Sequence, residues 1–556
     1  MTAGVPGIRD VVVLGGGLAG LTAALQLKRR DPAIDVLVLE RNRHPVPEAA
    51  FKVGESTVEC GAHYFADVLG LREHLESEQL AKFGLRYFFN HRSNAIDRCT
   101  ELGVSQGLPT GSFQLDRGRF ENFLGERVQA QGVEFLDGAK VAKVGIGSDG
   151  APHRVEYSRD DRIHVAEARW VVDASGRAGL LKRKLGLAEA NGHDANAAWW
   201  RVDGRIDLND WSDDANWLAR CDPPDRWRST NHLCGPGYWF WLIPLASGSH
   251  SLGIVCDAAM HPLETMKTHA LAMDWLRRHQ PQAAAALDAS GAELQDFRFL
   301  RGFSHGCRQV YSKERWALTG EAGAFLDPFY SPGSDFIALS NTYVCELVLA
   351  DRAGAPFEAY APIYEQLYFA FYENALALYR GQYPIFGNAL VMPLKIMWDY
   401  AFYWSLLAPI YFGGRQAALP VMSRLKPVFA LGSALNAGMQ ALFLSWGLRD
   451  GRDAMEDGRW LDQYALDWAR GLNAALRDEL DDDAFVERIR GNVRRMQRLA
   501  AELLAQARAL HPDLDDHGLE AMCAGVAGEE PLLPSRWYAE RTTDAASVAG
   551  ATEAAT

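Results

Sequence analysis

Positive charge is what this sequence is short of: 57 Lys and Arg against 71 Asp and Glu leave a formal net charge of −14 over 556 residues. Binding to nucleic acid needs a basic patch or an excess of Lys and Arg, so no nucleic-acid partner is expected. Cysteine is sparse as well. The eight present (Cys60, Cys99, Cys221, Cys234, Cys256, Cys307, Cys345 and Cys523) are scattered, with no CxxC pair and no metal-ligand spacing. That excludes a disulfide framework and a cysteine-built metal centre, so no metal site is expected. No basic, apolar and small-residue leader precedes the first strand, and a cytoplasmic location is expected. Internal repeats are absent too.

Unbroken apolar runs are also missing. No charged residue lies between Lys426 and Arg449, but Ser433, Asn436, Gln440, Ser445, Pro427, Gly432, Gly438 and Gly447 interrupt that stretch. The uncharged stretch Tyr400–Gly414 is shorter than the roughly 20 apolar residues a bilayer span needs. A buried helix or the wall of an apolar substrate tunnel is expected here, with monotopic membrane contact as the alternative.

What is present begins with a strand-turn-helix-strand unit over residues 8–40. Asp10–Leu14 reads as a strand, Gly15-Gly16-Gly17-Leu18-Ala19-Gly20 as the turn, Leu21–Arg29 as a helix and Val36–Leu39 as a second strand ending on Glu40. Such a turn brings backbone N–H groups to a pyrophosphate at the positive end of a helix, and an acidic residue closing the next strand takes ribose hydroxyls. Gly15, Gly17, Leu18, Ala19, Gly20 and Glu40 are therefore nucleotide-binding candidates. Further strands are expected around 133–144 and 154–172, and again at 238–244 and 251–256.

A chain of this length exceeds the roughly 250–300 residues of one compact core. The predicted class is α/β: a Rossmann-like nucleotide-binding domain, which the resemblance described next implies to be FAD-binding, an inserted substrate-side β-sheet and a helical C-terminal region. The expected bounds are 1–194 and 301–345 for the FAD-binding domain, 195–300 for the sheet and 346–541 for the helical region. The Ala/Thr/Ser-rich end, 542–556, is expected to be a disordered tail. Within the helical region, Phe485–Leu510 sets Arg488, Arg490, Arg494, Arg495 and Arg498 against Val486, Ile489, Val493, Met496, Leu499 and Leu503. That is a solvated basic face over a packed apolar one, with a carrier-protein docking surface as the alternative.

Four later segments resemble the flavin-dependent halogenases, a branch of the FAD monooxygenase superfamily. They are Phe51-Lys-Val-Gly-Glu-Ser56, Trp170-Val-Val-Asp-Ala-Ser-Gly-Arg177, Trp239-Phe-Trp-Leu-Ile-Pro244 and Trp316–Pro328, and the resemblance spans about residues 8–345. It implies FAD as cofactor, held additionally by Lys52, Glu55, Ser56, Arg117, Asp173, Gly320, Glu321, Asp327 and Gly333. Gly320-Glu321 stands where the family usually has Gly-Asp. The family's reaction, reduced FAD and oxygen converting halide to hypohalous acid, implies that Lys82 directs the halogen to the substrate, with Lys52 as rival. It also implies a halide site at Ser331, Gly333 and Ser334, where Pro332 supplies no N–H.

Trp239 and Trp241, two apart on a strand, share a face and would form an apolar wall on the substrate side. Tyr330, also on the substrate side, stands where members acting on free tryptophan carry a glutamate. A phenolic, pyrrolic or polyene-type substrate, free or on an acyl carrier protein, is therefore expected. With no second nucleotide fingerprint, reduced FAD would come from a separate flavin reductase. The alternatives are an FAD monooxygenase or reductase without halogenation, and a non-catalytic flavin-binding protein.

Overall fold

The computed structural model describes residues 7–48, 53–89, 94–450, 458–526 and 530–534. Lys52 and the expected tail 542–556 lie outside the described residues. A seven-stranded sheet is centred on the first strand, Arg9–Leu14, which runs parallel to Val36–Leu39 on one side and to the end of Arg162–Asp173 on the other. Trp316–Leu318 adds a further parallel strand beside Arg162–Asp173, and the antiparallel strands His153–Arg159 and Lys140–Gly145 extend its other half. Val11, Val12, Val13 and Leu14 are all buried, as an inner parallel strand covered on both faces must be.

A second, eight-stranded sheet runs in the order Glu293–Leu300, Ala195–Asp203, Ser249–Asp257, Tyr238–Pro244, Thr230–Gly235, Leu85–Phe89, Thr100–Gly103, Trp460–Asp462. The substrate-side sheet thus exceeds its expected bounds of 195–300, because Leu85–Phe89 and Thr100–Gly103 continue it from the first part of the chain and Trp460–Asp462 from the helical region. The register places Trp239 opposite Val255 and Trp241 opposite Gly253. A Cβ on Gly253 would lie 2.2 Å from the Trp241 ring, so the glycine lets that indole lie flat across the neighbouring strand.

The helical region contains the 31-residue helix Leu419–Arg449, long and apolar enough by length and composition to cross a membrane. It buries Leu435, Met439, Leu442, Phe443 and Trp446 and packs against Asp482–Leu510. It contributes no wall to the main cavity, so the expected tunnel wall is not found there, and the helix is buried along one side only, with 44% of its most apolar window inside the protein. Asp482–Leu510 buries Val486, Ile489, Val493, Met496, Leu499 and Leu503, the expected apolar face.

Candidate functional site

The glycine turn opens a cavity of about 460 Å³. Gly15 adopts φ +110°, and a Cβ on Gly20 would stand 2.0 Å from the Gly15 carbonyl oxygen. Gly20 therefore brings helix Leu18–Arg30 tight against the turn and is not itself in the cavity wall, which corrects its assignment as a cofactor contact. A Cβ on Gly17 would meet no atom within 4 Å, so the turn faces open space at the helix N-terminus. Gly15, Gly17, Leu18 and Ala19 line that space together with Glu40. The Glu40 carboxylate accepts from the Gly16 N–H at 2.7 Å and the Asn42 N–H at 2.8 Å, which fixes it at the end of its strand.

Farther in, Arg117, Glu55, Gly320 and Glu321 join the wall. The Arg117 guanidinium donates to the Val53 carbonyl and to Glu121, each at 2.6 Å, and burial lowers its pKa to about 10. Glu55 accepts from Arg201 Nε at 2.8 Å, and burial raises its pKa despite that partner. Arg201 also pairs with Asp296. Glu321 lies 3.3 Å from Arg177 Nε, so the added methylene of the Gly-Glu variant still reaches a cation at the cavity wall.

Two predicted contacts are corrected. Asp173 is buried and turned inward: its two oxygens accept from the Ser175 and Leu181 N–H groups at 3.0 and 2.7 Å. Asp327 is likewise buried, accepting from Phe329 N–H at 3.0 Å, His193 at 2.8 Å and the Tyr383 hydroxyl at 2.5 Å. Neither lines the cavity. Both shape the loops that do, because a short acidic side chain satisfies the free N–H groups of a turn.

Another part of the cavity wall comes from the second sheet and the loop before helix Gly333–Arg352. Trp239 and Trp241 present their rings from one face, with centroids 5.6 Å apart. Opposite, Ser331 takes φ +56°, and Pro332 caps the helix, so that Gly333 and Ser334 begin it and line the cavity. The first amides of a helix have no intrahelical acceptor. Pro332 thus removes an N–H at the cap position, while those of Gly333 and Ser334 begin the helix at the cavity wall.

A hydroxyl chain leads out from this part of the wall. Ser331 Oγ donates to Ser56 Oγ at 2.9 Å, Ser56 lies 2.8 Å from Thr230 Oγ1, and Lys82 Nζ donates to Ser56 Oγ at 2.8 Å and to the Thr57 carbonyl at 2.7 Å. Lys82 closes the short strand Leu80–Lys82 and lies behind Ser56, outside the cavity wall. Burial lowers its pKa to about 7, against the opposing pull of Glu59 and Asp335. Asp335, in the first turn of helix Gly333–Arg352, is raised to about 7 by its own burial.

Tyr330 is the last correction. It is absent from the cavity wall, and its hydroxyl donates to Asp399 at 2.6 Å. Sequence reasoning missed Thr230, His232 and Arg177, which line the cavity. Arg177 closes a quoted motif and was within reach of that reasoning, whereas Thr230 and His232 carried no motif. Burial lowers the His232 pKa to about 3, so a neutral imidazole stands in the wall.

Residues 98–376 match the family model described as tryptophan halogenase, and residues 13–83 match that of an NAD(P)-binding Rossmann-like domain. The chain is similar to the flavin-dependent halogenase chlA of Dictyostelium discoideum, 27% identical over 440 residues that cover 73% of this chain and 71% of that protein. It is also similar to a 1H-pyrrole-2-carbonyl-(peptidyl-carrier protein) brominase of Pseudoalteromonas luteoviolacea, 26% identical over 362 residues, 63% of this chain and 80% of that one. Among solved structures, the halogenase PltM in complex with phloroglucinol and FAD superposes with a TM-score of 0.56 at 18% identity, covering 92% of this chain and 98% of that one.

Proposed function

We propose, from the premise that the chain belongs to the tryptophan halogenase family, that it halogenates an electron-rich phenol or pyrrole rather than free tryptophan. FAD is its cofactor, and the cavity suits it: open space before Gly17 for a pyrophosphate, a carboxylate at Glu40 for ribose hydroxyls, and a broad end between Trp239, Trp241 and the Ser331–Ser334 loop for the ring. Bound and reduced, FAD supplies with oxygen the oxidising equivalents that make an electrophilic halogen from halide.

The chain's own residues divide the remaining work. The Gly333 and Ser334 amides hold the halide at a helix N-terminus, where the backbone dipole favours an anion, and the Ser331 hydroxyl, donated to Ser56, ties the loop before them in place. Trp239 and Trp241 keep water from the cavity end. The Lys82–Ser56–Ser331 chain carries the reading, since it joins the cavity to an amine buried on its far side. Lys82 presents that amine to the halogen electrophile.

The substrate class follows from Tyr330. Its hydroxyl is committed to Asp399 and offers no carboxylate base to an indole, whereas a phenol or pyrrole is activated by its own heteroatom. The carrier-bound pyrrole of the brominase relative and the phloroglucinol of the solved halogenase are of this class, and a carrier-tethered substrate is included in the proposal. A separate flavin reductase, also cytoplasmic, would deliver reduced FAD. The test is incubation with reduced FAD, oxygen and bromide alongside phloroglucinol, a carrier-bound pyrrole and tryptophan. Bromination of either of the first two without tryptophan supports the reading. Oxygenated product lacking bromine would replace it with a monooxygenase, and bound FAD without any turnover would leave a binding protein.

A further inference from the structure

The loop Asp327–Ser334 is tied at two points to the helical region, whose sequence carried no functional motif. At its start, Asp327 accepts from the Tyr383 hydroxyl at 2.5 Å, and Tyr383 in turn accepts from Trp239 Nε1 at 3.0 Å. An indole N–H only donates, so the direction of this chain is fixed: Trp239 to Tyr383 to Asp327. Three residues later the Tyr330 hydroxyl donates to Asp399 Oδ2 at 2.6 Å. Asp399 is held in turn by Lys395 Nζ at 2.6 Å and by Gln440 Nε2 at 2.8 Å, and Lys395 also donates to the Leu378 carbonyl at 3.0 Å. Lys395, Asp399 and Gln440 are all buried.

Between and just beyond these ties lie the features that need holding. Ser331 adopts φ +56°, a region non-glycine residues enter only when their surroundings impose it. Phe329, two residues before it, packs its ring 5.3 Å from Trp239. A loop whose amides must converge on one small anion loses affinity when its backbone shifts by a fraction of an ångström. The buried ion pair has no access to the cavity and accepts the hydroxyl of the residue adjoining Ser331.

We infer that Tyr383 and the Tyr330–Asp399–Lys395 cluster are positioning residues that set halide affinity by fixing the Ser331–Ser334 loop against the tryptophan wall. The inference rests on the halide reading of that loop given above. It also gives the helical region a task, since the affinity of a site in the flavin-binding part is set by residues 383–440.

The test uses the FAD-loaded full chain with Tyr383→Phe, Tyr330→Phe and the double variant, each lacking one hydroxyl or both. Bromide is titrated against the absorbance of bound flavin, with FAD affinity and melting temperature measured alongside. Each loss of one hydrogen bond should raise the bromide Kd about fivefold to tenfold, with FAD affinity held to within about twofold. Raising bromide should then restore turnover in the variants, so the defect appears in the halide KM and not in kcat. A bromide Kd unchanged in both single variants overturns the inference while leaving the halide reading intact. FAD affinity falling by the same factor as bromide affinity also overturns it, because that would mark general loosening. Should Tyr383→Phe not fold, Tyr330→Phe gives the answer alone, since it leaves the Lys395–Asp399 pair in place. A wild-type protein with bound FAD and no bromide response overturns the halide reading, and the inference with it.

Discussion

Lys82 has two acceptors, Ser56 Oγ and the Thr57 carbonyl, and an ammonium has three N–H bonds. Protonated, the group keeps one further N–H for a partner; neutral, it keeps a lone pair instead. With its pKa lowered to about 7 by burial, both forms are populated near neutrality, so a modest pH change switches the group between donor and nucleophile. Replacing Lys82 with Met should cut halogenation by about a hundredfold or more while leaving FAD affinity unchanged, as measured by product formation and flavin titration. The same substitution has a stability signature. Between about 7 and the ordinary 10.5, the unfolded chain holds the proton that the folded chain has released, so this group's contribution to stability rises with pH across that window. Below the window the folded state carries a buried charge. Lys82→Met should therefore melt above wild type at pH 6–7, and its advantage should shrink as the pH approaches 10.

At the scale of elements, the glycine turn separates two effects that a motif match merges. Gly20 faces the turn, and a methyl there would collide with the Gly15 carbonyl, whereas one on Gly17 would enter open space. Gly20→Ala should lower the melting temperature of the flavin-free protein. Gly17→Ala should leave it unchanged and weaken FAD binding instead. Calorimetry and flavin titration on the two variants check this, and equal effects on both quantities would contradict it.

The turn, its helix and the paired tryptophans were legible in the sequence because each depends on neighbours within a few residues: a strand period of two, a helix period of 3.6, a glycine at a tight bend. Asp173 and Asp327 were read in the right loops with the wrong orientation. Spacing places an acidic residue in a turn but does not say whether its carboxylate looks out at a ligand or back at the turn's own N–H groups. Tyr383, His193 and Asp399 were not legible at all. Each meets the loop at Asp327–Tyr330 from 56 to 134 positions away, and no local pattern encodes a contact that only folding creates. The sheet bounds of 195–300 failed for the same reason, since Leu85–Phe89 and Trp460–Asp462 join by pairing across long sequence distances.

At the scale of the molecule, the cavity is walled by three bodies of structure: the parallel sheet through its glycine turn, the second sheet through Trp239 and Trp241, and helix Gly333–Arg352 through its first residues. A ligand that touches all three and binds only the folded state stabilises by about 2.7 kcal/mol when present at a hundred times its Kd. FAD should accordingly move the thermal unfolding of the chain as one transition. Calorimetry showing two transitions, only one of them shifted by FAD, would mean that the sheets unfold independently.

A hypohalous oxidant attacks sulfur readily, and thiols and thioethers are its ordinary victims in proteins. Among the described residues that line the cavity there is neither cysteine nor methionine, and all eight cysteines are buried elsewhere. Self-inflicted damage in an enzyme turning over without acceptor should therefore fall on the indoles of Trp239 and Trp241 and the imidazole of His232. These groups shape the wall, so wear would first be felt as a leak of oxidant to bulk solvent.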